Sequence, residues 1–189
     1  MGSSGTGILP VRAAQDSRGL GGSSECLASP AIARPPTLAT FAAVSSKSPK
    51  IAALAAPFLG QAEDARYLAW FDCFNRQLYF EAHEVLEDLW LPIRRQPEGD
   101  FHKGLIQLAG AFVHLQKQRL GPAAALLRLA DANLAKFADG HLRFPVADVR
   151  RRILGWLAAL TTAQPPLNPL QTDPPPQLTL LPQPSRSPA

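Results

Sequence analysis

Proline placement limits what this chain can fold into. Of its 19 prolines, 6 precede position 61, 4 fall within 61–163 and 9 crowd into the last 26 residues. Proline fixes φ and has no N–H to donate, so that last density excludes helix and inner strand alike. Residues 164–189 are therefore expected to be a Pro-rich disordered tail. Residues 1–60 are rich in Gly, Ser, Ala and Pro without sustained periodicity, and are expected to be a disordered low-complexity extension. The remaining stretch, 61–163, is long enough for one hydrophobic core and too short for two.

Charge and cysteine narrow the function classes. The chain carries a net charge of +4. Within 61–163, however, 13 basic residues face 12 acidic ones. A balance so close to neutral argues against duplex nucleic-acid binding, which needs a basic face to meet phosphates. Arg150, Arg151 and Arg152 are consecutive on an expected helix. They spread around it and read as a solvated face before they read as an anion site. Cys26 and Cys73 are the 2 cysteines. They can build neither a disulfide framework nor a Cys-based zinc site, so a cytoplasmic compartment is expected. No apolar run reaches 18 residues, which excludes a membrane-spanning helix. Ile51–Leu59 is too short and too far from the start to be a secretory signal.

Hydrophobic periodicity predicts an all-α fold, an antiparallel helical bundle of about five helices. Tyr67, Phe71, Phe74 and Leu78 repeat at spacings of 4, 3 and 4 from about Glu63 onward. A second helix is expected over Tyr79–Ile93, stopping at a loop that holds Pro97 and Gly99. Asp100 is the expected N-cap of a third, Phe101 to about Arg119. Gly121-Pro122 opens a fourth, which runs to about Ala138 and ends at Gly140. The fifth follows Pro145, with Val146, Val149, Ile153, Trp156, Leu157 and Leu160 on one face. No segment carries the period of a strand.

The second helix holds the informative residues, Tyr79-Phe80-Glu81-Ala82-His83-Glu84-Val85-Leu86-Glu87-Asp88-Leu89-Trp90. On a helical wheel Glu81, Glu84 and Asp88 share a face expected to be solvated, and Ala82, Val85, Leu86, Leu89 and Trp90 face the core. His83 and Glu87, one turn apart, lie at the border, where polar groups need partners. On the third helix Lys103, Gln107 and His114 form a polar line beside Gly110 and Ala111. Small residues there suggest a close neighbour, which sets His83 and Glu87 against Gln107 and His114.

Two readings follow. In one, His83, Glu87 and His114 are ligands of a divalent metal ion, with water completing the shell. In the other, a His83–Glu87 hydrogen bond together with Gln107 locks two helices in register and binds nothing. His83-Glu84-x-x-Glu87 is no metalloprotease motif, because Glu87 replaces the second histidine and Glu84 points to solvent. Paired Glu-x-x-His motifs are absent, which excludes a four-helix di-iron site. His102 reads as a cap or a surface residue and His141 as a solvated turn. Trp70, Trp90 and Trp156 stand at core spacing.

Phe74-Asn75, the segment Tyr79–Trp90, Lys103-Gly104-Leu105-Ile106-Gln107-Leu108-Ala109 and His114 together resemble the domain-of-unknown-function 309 family. Members are small all-helical bacterial and archaeal proteins. Their hallmark, His-x-x-x-Glu-x-x-Trp/Tyr, stands here as His83, Glu87 and Trp90. The resemblance covers about residues 63–137 and implies a helical bundle and a motif suggested to bind metal, with no established reaction. One departure is Gln77-Leu78, where the family usually has Gly or an acidic residue.

The expected function is a metal- or ligand-binding pocket lined by His83, Glu87, Trp90, Lys103, Gln107 and His114. Were the chain an enzyme, metal-assisted hydrolysis would be the first reaction class to test. The alternative is a helical protein–protein interaction module, binding a protein partner or a second copy, with the His/Glu pair structural. The absence of a 34-residue repeat weighs against a tetratricopeptide-type version of it.

Overall fold

A computed structural model of the chain describes residues 49–183. Its helices are α1 (Pro49–Ala55), α2 (Ala65–Asn75), α3 (Tyr79–Ile93), α4 (Gly99–Gln116), α5 (Leu120–Leu134), α6 (Val146–Thr161) and α7 (Pro169–Thr172). No strand occurs among the described residues. The expected extension up to position 48, with Cys26 in it, lies outside them.

Each long helix follows from its apolar stripe. In α2, Tyr67, Phe71 and Phe74 are buried and Trp70 is fully so. The Asp64 side chain caps α2 by accepting the Arg66 backbone N–H at 2.8 Å. Phe74 meets Tyr79 and Arg66 meets Asp88, so α2 and α3 run antiparallel. Tyr79 packs on Phe112 and His83 on Gly110, which sets α4 antiparallel to α3. Gly104 faces Leu134 and Gly110 faces Leu126, which does the same for α5 on α4. Trp156 brings α6 onto Phe112 at 4.9 Å between ring centroids. The core forms where these stripes meet. Cys73 is buried in it, and burial pushes its thiol up to about 11.

Three sequence expectations shift at the ends of elements. The helix expected from Phe101 begins at Gly99, and Asp100 sits in its first turn rather than at its N-cap. There its carboxylate meets the helix dipole and pairs with Lys136 at 2.7 Å. The reason is Gly99 itself. A Cβ there would lie 2.8 Å from the Arg94 carbonyl oxygen, so only glycine permits so close a turn. Gly140 adopts a left-handed φ of +80° beyond α5, as a helix-ending glycine does, although α5 itself stops at Leu134. Arg150, Arg151 and Arg152 lie on α6 and pair with Asp131, Asp148 and Asp148 respectively, as a solvated face would.

The packed region also extends beyond 61–163 on both sides. Residues Pro49–Ala55 form α1, whose Ile51 and Ala55 are buried. This helix packs on α2 and α3. At the other end, the segment expected to be a disordered tail from 164 lies on the helices up to position 183. Pro169 and Asn168 are buried and Leu178 is only 2% exposed. Against expectation one short helix, α7, forms there, with Pro169 in its first turn where proline needs no N–H partner, and the rest docks as non-helical chain whose leucines find apolar surface.

Candidate functional site

Lys103, Gln107, Gly110 and His114 recur every three or four residues along α4, on the side covered by α3 and α5. Lys103 is exposed; Gln107, Gly110 and His114 are half-buried, as are His83, Glu87 and Trp90 on α3. The expected stripe therefore exists as a partly accessible seam. His83 reaches it because α4 carries glycine at 110. A Cβ there would stand 3.7 Å from His83 Cδ2 and 3.3 Å from Leu126 Cδ1 of α5.

The partnerships within the seam differ from the expected ones. Gln107 turns to α5, where its Oε1 accepts a hydrogen bond from Asn133 Nδ2 at 2.8 Å. It does not clamp His83 and Glu87. Nor do His83 and Glu87 share a hydrogen bond, so the register lock read from sequence is absent. Two nitrogens on these helices, Trp90 Nε1 of α3 and His114 Nδ1 of α4, are buried and find no hydrogen-bond partner in the protein. Among the described residues, no group of three or more His, Cys, Asp and Glu side chains stands together to hold a metal ion. His83, Glu87 and His114 are thus not gathered as a ligand set.

The acidic face of α3 is not a free solvated face. Asp88 Oδ2 accepts from Arg66 Nη1 at 3.1 Å, and its side chain is only 7% exposed. Arg66 also reaches Asp64 at 2.9 Å. Glu81 pairs with Lys50 of α1 at 2.9 Å. The wheel gave this face to water because α1 was assigned to the extension, and because nothing in the sequence spacing joins Arg66 to Asp88. Burial alone would raise the Asp64 carboxyl, but the Arg66 hydrogen bonds outweigh it and hold Asp64 below the usual range.

A second polar cluster was missed in the sequence. His102 is only 5% exposed, not a surface residue, and its Nδ1 stands 3.0 Å from the Glu98 carbonyl oxygen. His141 is no solvated turn residue. Its ring lies 4.8 Å from that of Phe101 and 4.6 Å from that of Phe137, with Nε2 buried and unpaired. A usable signal existed for His102. On the α4 wheel it stands in the middle of the arc made by Leu105, Ile106, Ala109, Phe112 and Val113. For His141 there was none, because its burial comes from the fold of the 140–144 turn.

Burial lowers the pKa of both histidines from 6.5. As pH falls below 6.5, the unfolded chain takes up protons at these rings that the folded chain does not. The unfolded state then binds more protons, and stability declines with falling pH. Urea midpoints recorded from pH 8 down to 5 are expected to fall below about pH 6.5. In His102→Phe that acid-side slope becomes shallower; an unchanged slope would rule out His102 as a source.

No described helix is long and apolar enough to cross a membrane. No curated protein and no solved structure matches this chain. A family model does match, over residues 67–126, the stretch that contains α3, the seam and the motif His83-x-x-x-Glu87-x-x-Trp90. The chain carries a DUF309 domain, a domain of unknown function, as its motifs suggested.

Proposed function

We propose that the chain is a small-ligand-binding domain and that its site is the seam of α3 on α4. The observation that supports this is the buried, unpartnered Trp90 Nε1, one turn from Glu87 on α3, with a second such nitrogen, His114 Nδ1, on α4. An unpaired buried donor costs about 1–3 kcal/mol. The α3–α4 register sets His114 about three turns of α4 away from Trp90, so a compact polar molecule that offers an acceptor to the Trp90 N–H is the ligand class, and it recovers that one loss. A divalent ion fits less well, because the three side chains that would hold it do not stand together. It would need donors brought by the ligand. The interaction-module reading loses the acidic face it would have used, since Glu81 and Asp88 are paired within the fold.

The test is a thermal-shift screen of the purified chain against small acids, amines, nucleosides, Zn²⁺, Mn²⁺ and Fe²⁺, with elemental analysis and native mass spectrometry of the same preparation. A hit is expected to raise the melting temperature in the wild type and not in His83→Ala. Trp90→Phe keeps an aromatic side chain but removes the N–H together with the pyrrole half of the indole, and is expected to weaken binding at least about tenfold, the worth of one hydrogen bond to a buried donor. Stoichiometric metal lost in His83→Ala would reassign the seam as a metal site. No retained molecule and no hit would leave His83 as a packing residue against Gly110.

A further inference from the structure

The non-helical segment 174–183 is held as a bound peptide would be. Asn75 binds both polar groups of one residue: its Nδ2 donates to the Leu178 carbonyl oxygen at 2.8 Å, and its Oδ1 accepts the Leu178 N–H at 2.8 Å. Gln177 Nε2 donates back to the Asn75 carbonyl oxygen at 3.0 Å. Three residues on, Arg143 repeats the arrangement. Its Nε donates to the Leu181 carbonyl oxygen at 2.7 Å, and its own carbonyl oxygen accepts the Leu181 N–H at 2.7 Å. These contacts address the backbone, which any peptide offers. Side-chain selection comes from Leu178, which is almost fully buried.

The segment does not fill its groove. An open depression of about 290 Å³ remains beside it, floored by Phe58, Leu68, Phe71 and Leu180 and edged by the polar Gln61 and Asp72. The occupant carries no charge from Pro174 to Gln183. Main-chain hydrogen bonds with pockets for spaced side chains are the physics of peptide recognition, in which the backbone gives affinity and the pockets give specificity. A tethered occupant competes at an effective concentration in the millimolar range, so it can hold the groove without being its best ligand.

We propose that the groove read by Asn75 and Arg143 is a peptide-docking site, occupied in cis by this chain's own Leu178 segment. In trans it takes an uncharged, leucine-centred peptide of a partner protein, with a larger apolar residue entering the remaining depression. This site is separate from the α3–α4 seam and does not depend on it.

The probe is a fluorescein-labelled synthetic peptide of residues 173–183, read by fluorescence anisotropy. In the full chain carrying Leu178→Asp, the resident anchor is lost and the groove opens. That variant is expected to bind the peptide at least about tenfold more tightly than the wild type, whose groove is filled. Adding Asn75→Ala removes the binding. A peptide with Phe in place of Leu180 is expected to bind more tightly than the parent sequence. Should Leu178→Asp fail to fold, a protease site inserted between Asp173 and Pro174 and cut after purification opens the groove without altering it. The proposal is overturned if neither opened form takes up the peptide, or if uptake is indifferent to Asn75→Ala. A concentration-dependent dimer of the wild type that Asn75→Ala abolishes would overturn the partner assignment, because a second copy's tail would then be the trans occupant.

Discussion

Phe101→Ala is expected to lower stability by about 3–5 kcal/mol, the range for truncating a fully buried aromatic residue. Phe101 is 0% exposed and stands at the junction of four parts of the fold. Its ring centroid lies 6.2 Å from that of Tyr67 on α2 and 5.4 Å from that of Phe137 just past α5. It lies 4.8 Å from His141 and 5.6 Å from Phe144, on the turn that leads into α6. Several of these pairs are edge-to-face, which adds to the area buried. Alanine leaves a cavity that none of four separately anchored neighbours can close. Urea unfolding followed by circular dichroism gives the number, with Phe101→Leu as the milder comparison. A loss near 1 kcal/mol would mean that the junction collapses onto the gap and is not rigid.

The second large effect concerns charge. Arg66 lies between the carboxylates of Asp64 and Asp88, with side-chain exposures of 16%, 19% and 7%. Burial disfavours its charge, but the two carboxylates outweigh that and raise its pKa. Arg66→Met removes the shared cation and leaves Asp88 almost buried and unpaired. Breaking a fully buried pair costs about 3–5 kcal/mol; with this residual exposure about 2–3 kcal/mol is expected. Adding Asp88→Leu removes the stranded charge and is expected to recover most of the loss, a strongly non-additive pair. Additive losses would show that the two side chains act independently.

Asp88 also shows how far the sequence could be read. Periodicity found α3 to its last residue, because every third or fourth position from Tyr79 to Leu89 is apolar and Tyr79–Ile93 contains no glycine. It found the Lys103, Gln107 and His114 stripe of α4 because residues on one helix keep their angular relations in any fold. It put Asp88 in water because pairing across helices depends on which helix covers which face. Asp88 is met by Arg66 of α2, and Glu81 by Lys50 of α1, a seven-residue helix in a Gly/Ser/Pro-rich region where no period can register. Gln107 failed for a related reason. A wheel gives a direction but not a choice between two neighbours, and α5 offered Asn133 as a better hydrogen-bond partner than anything α3 presented. The docked segment at 174–183 was illegible because its partners, Asn75 and Arg143, contact its backbone, which carries no sequence signal.

The separation between Asn75 and Leu178 is 103 residues, far longer than any contact between successive helices. The helical pairs α2–α3, α3–α4 and α4–α5 close between neighbours in the chain, and such local contacts form early and fast. Loop closure over a hundred residues comes late, and during synthesis it cannot occur until the C-terminal segment has left the ribosome. Each newly made molecule therefore passes through a stage in which its helices are assembled while Asn75, Arg143 and the apolar floor of the groove stand uncovered. That interval is when a chaperone or a partner chain would meet this surface without having to displace anything.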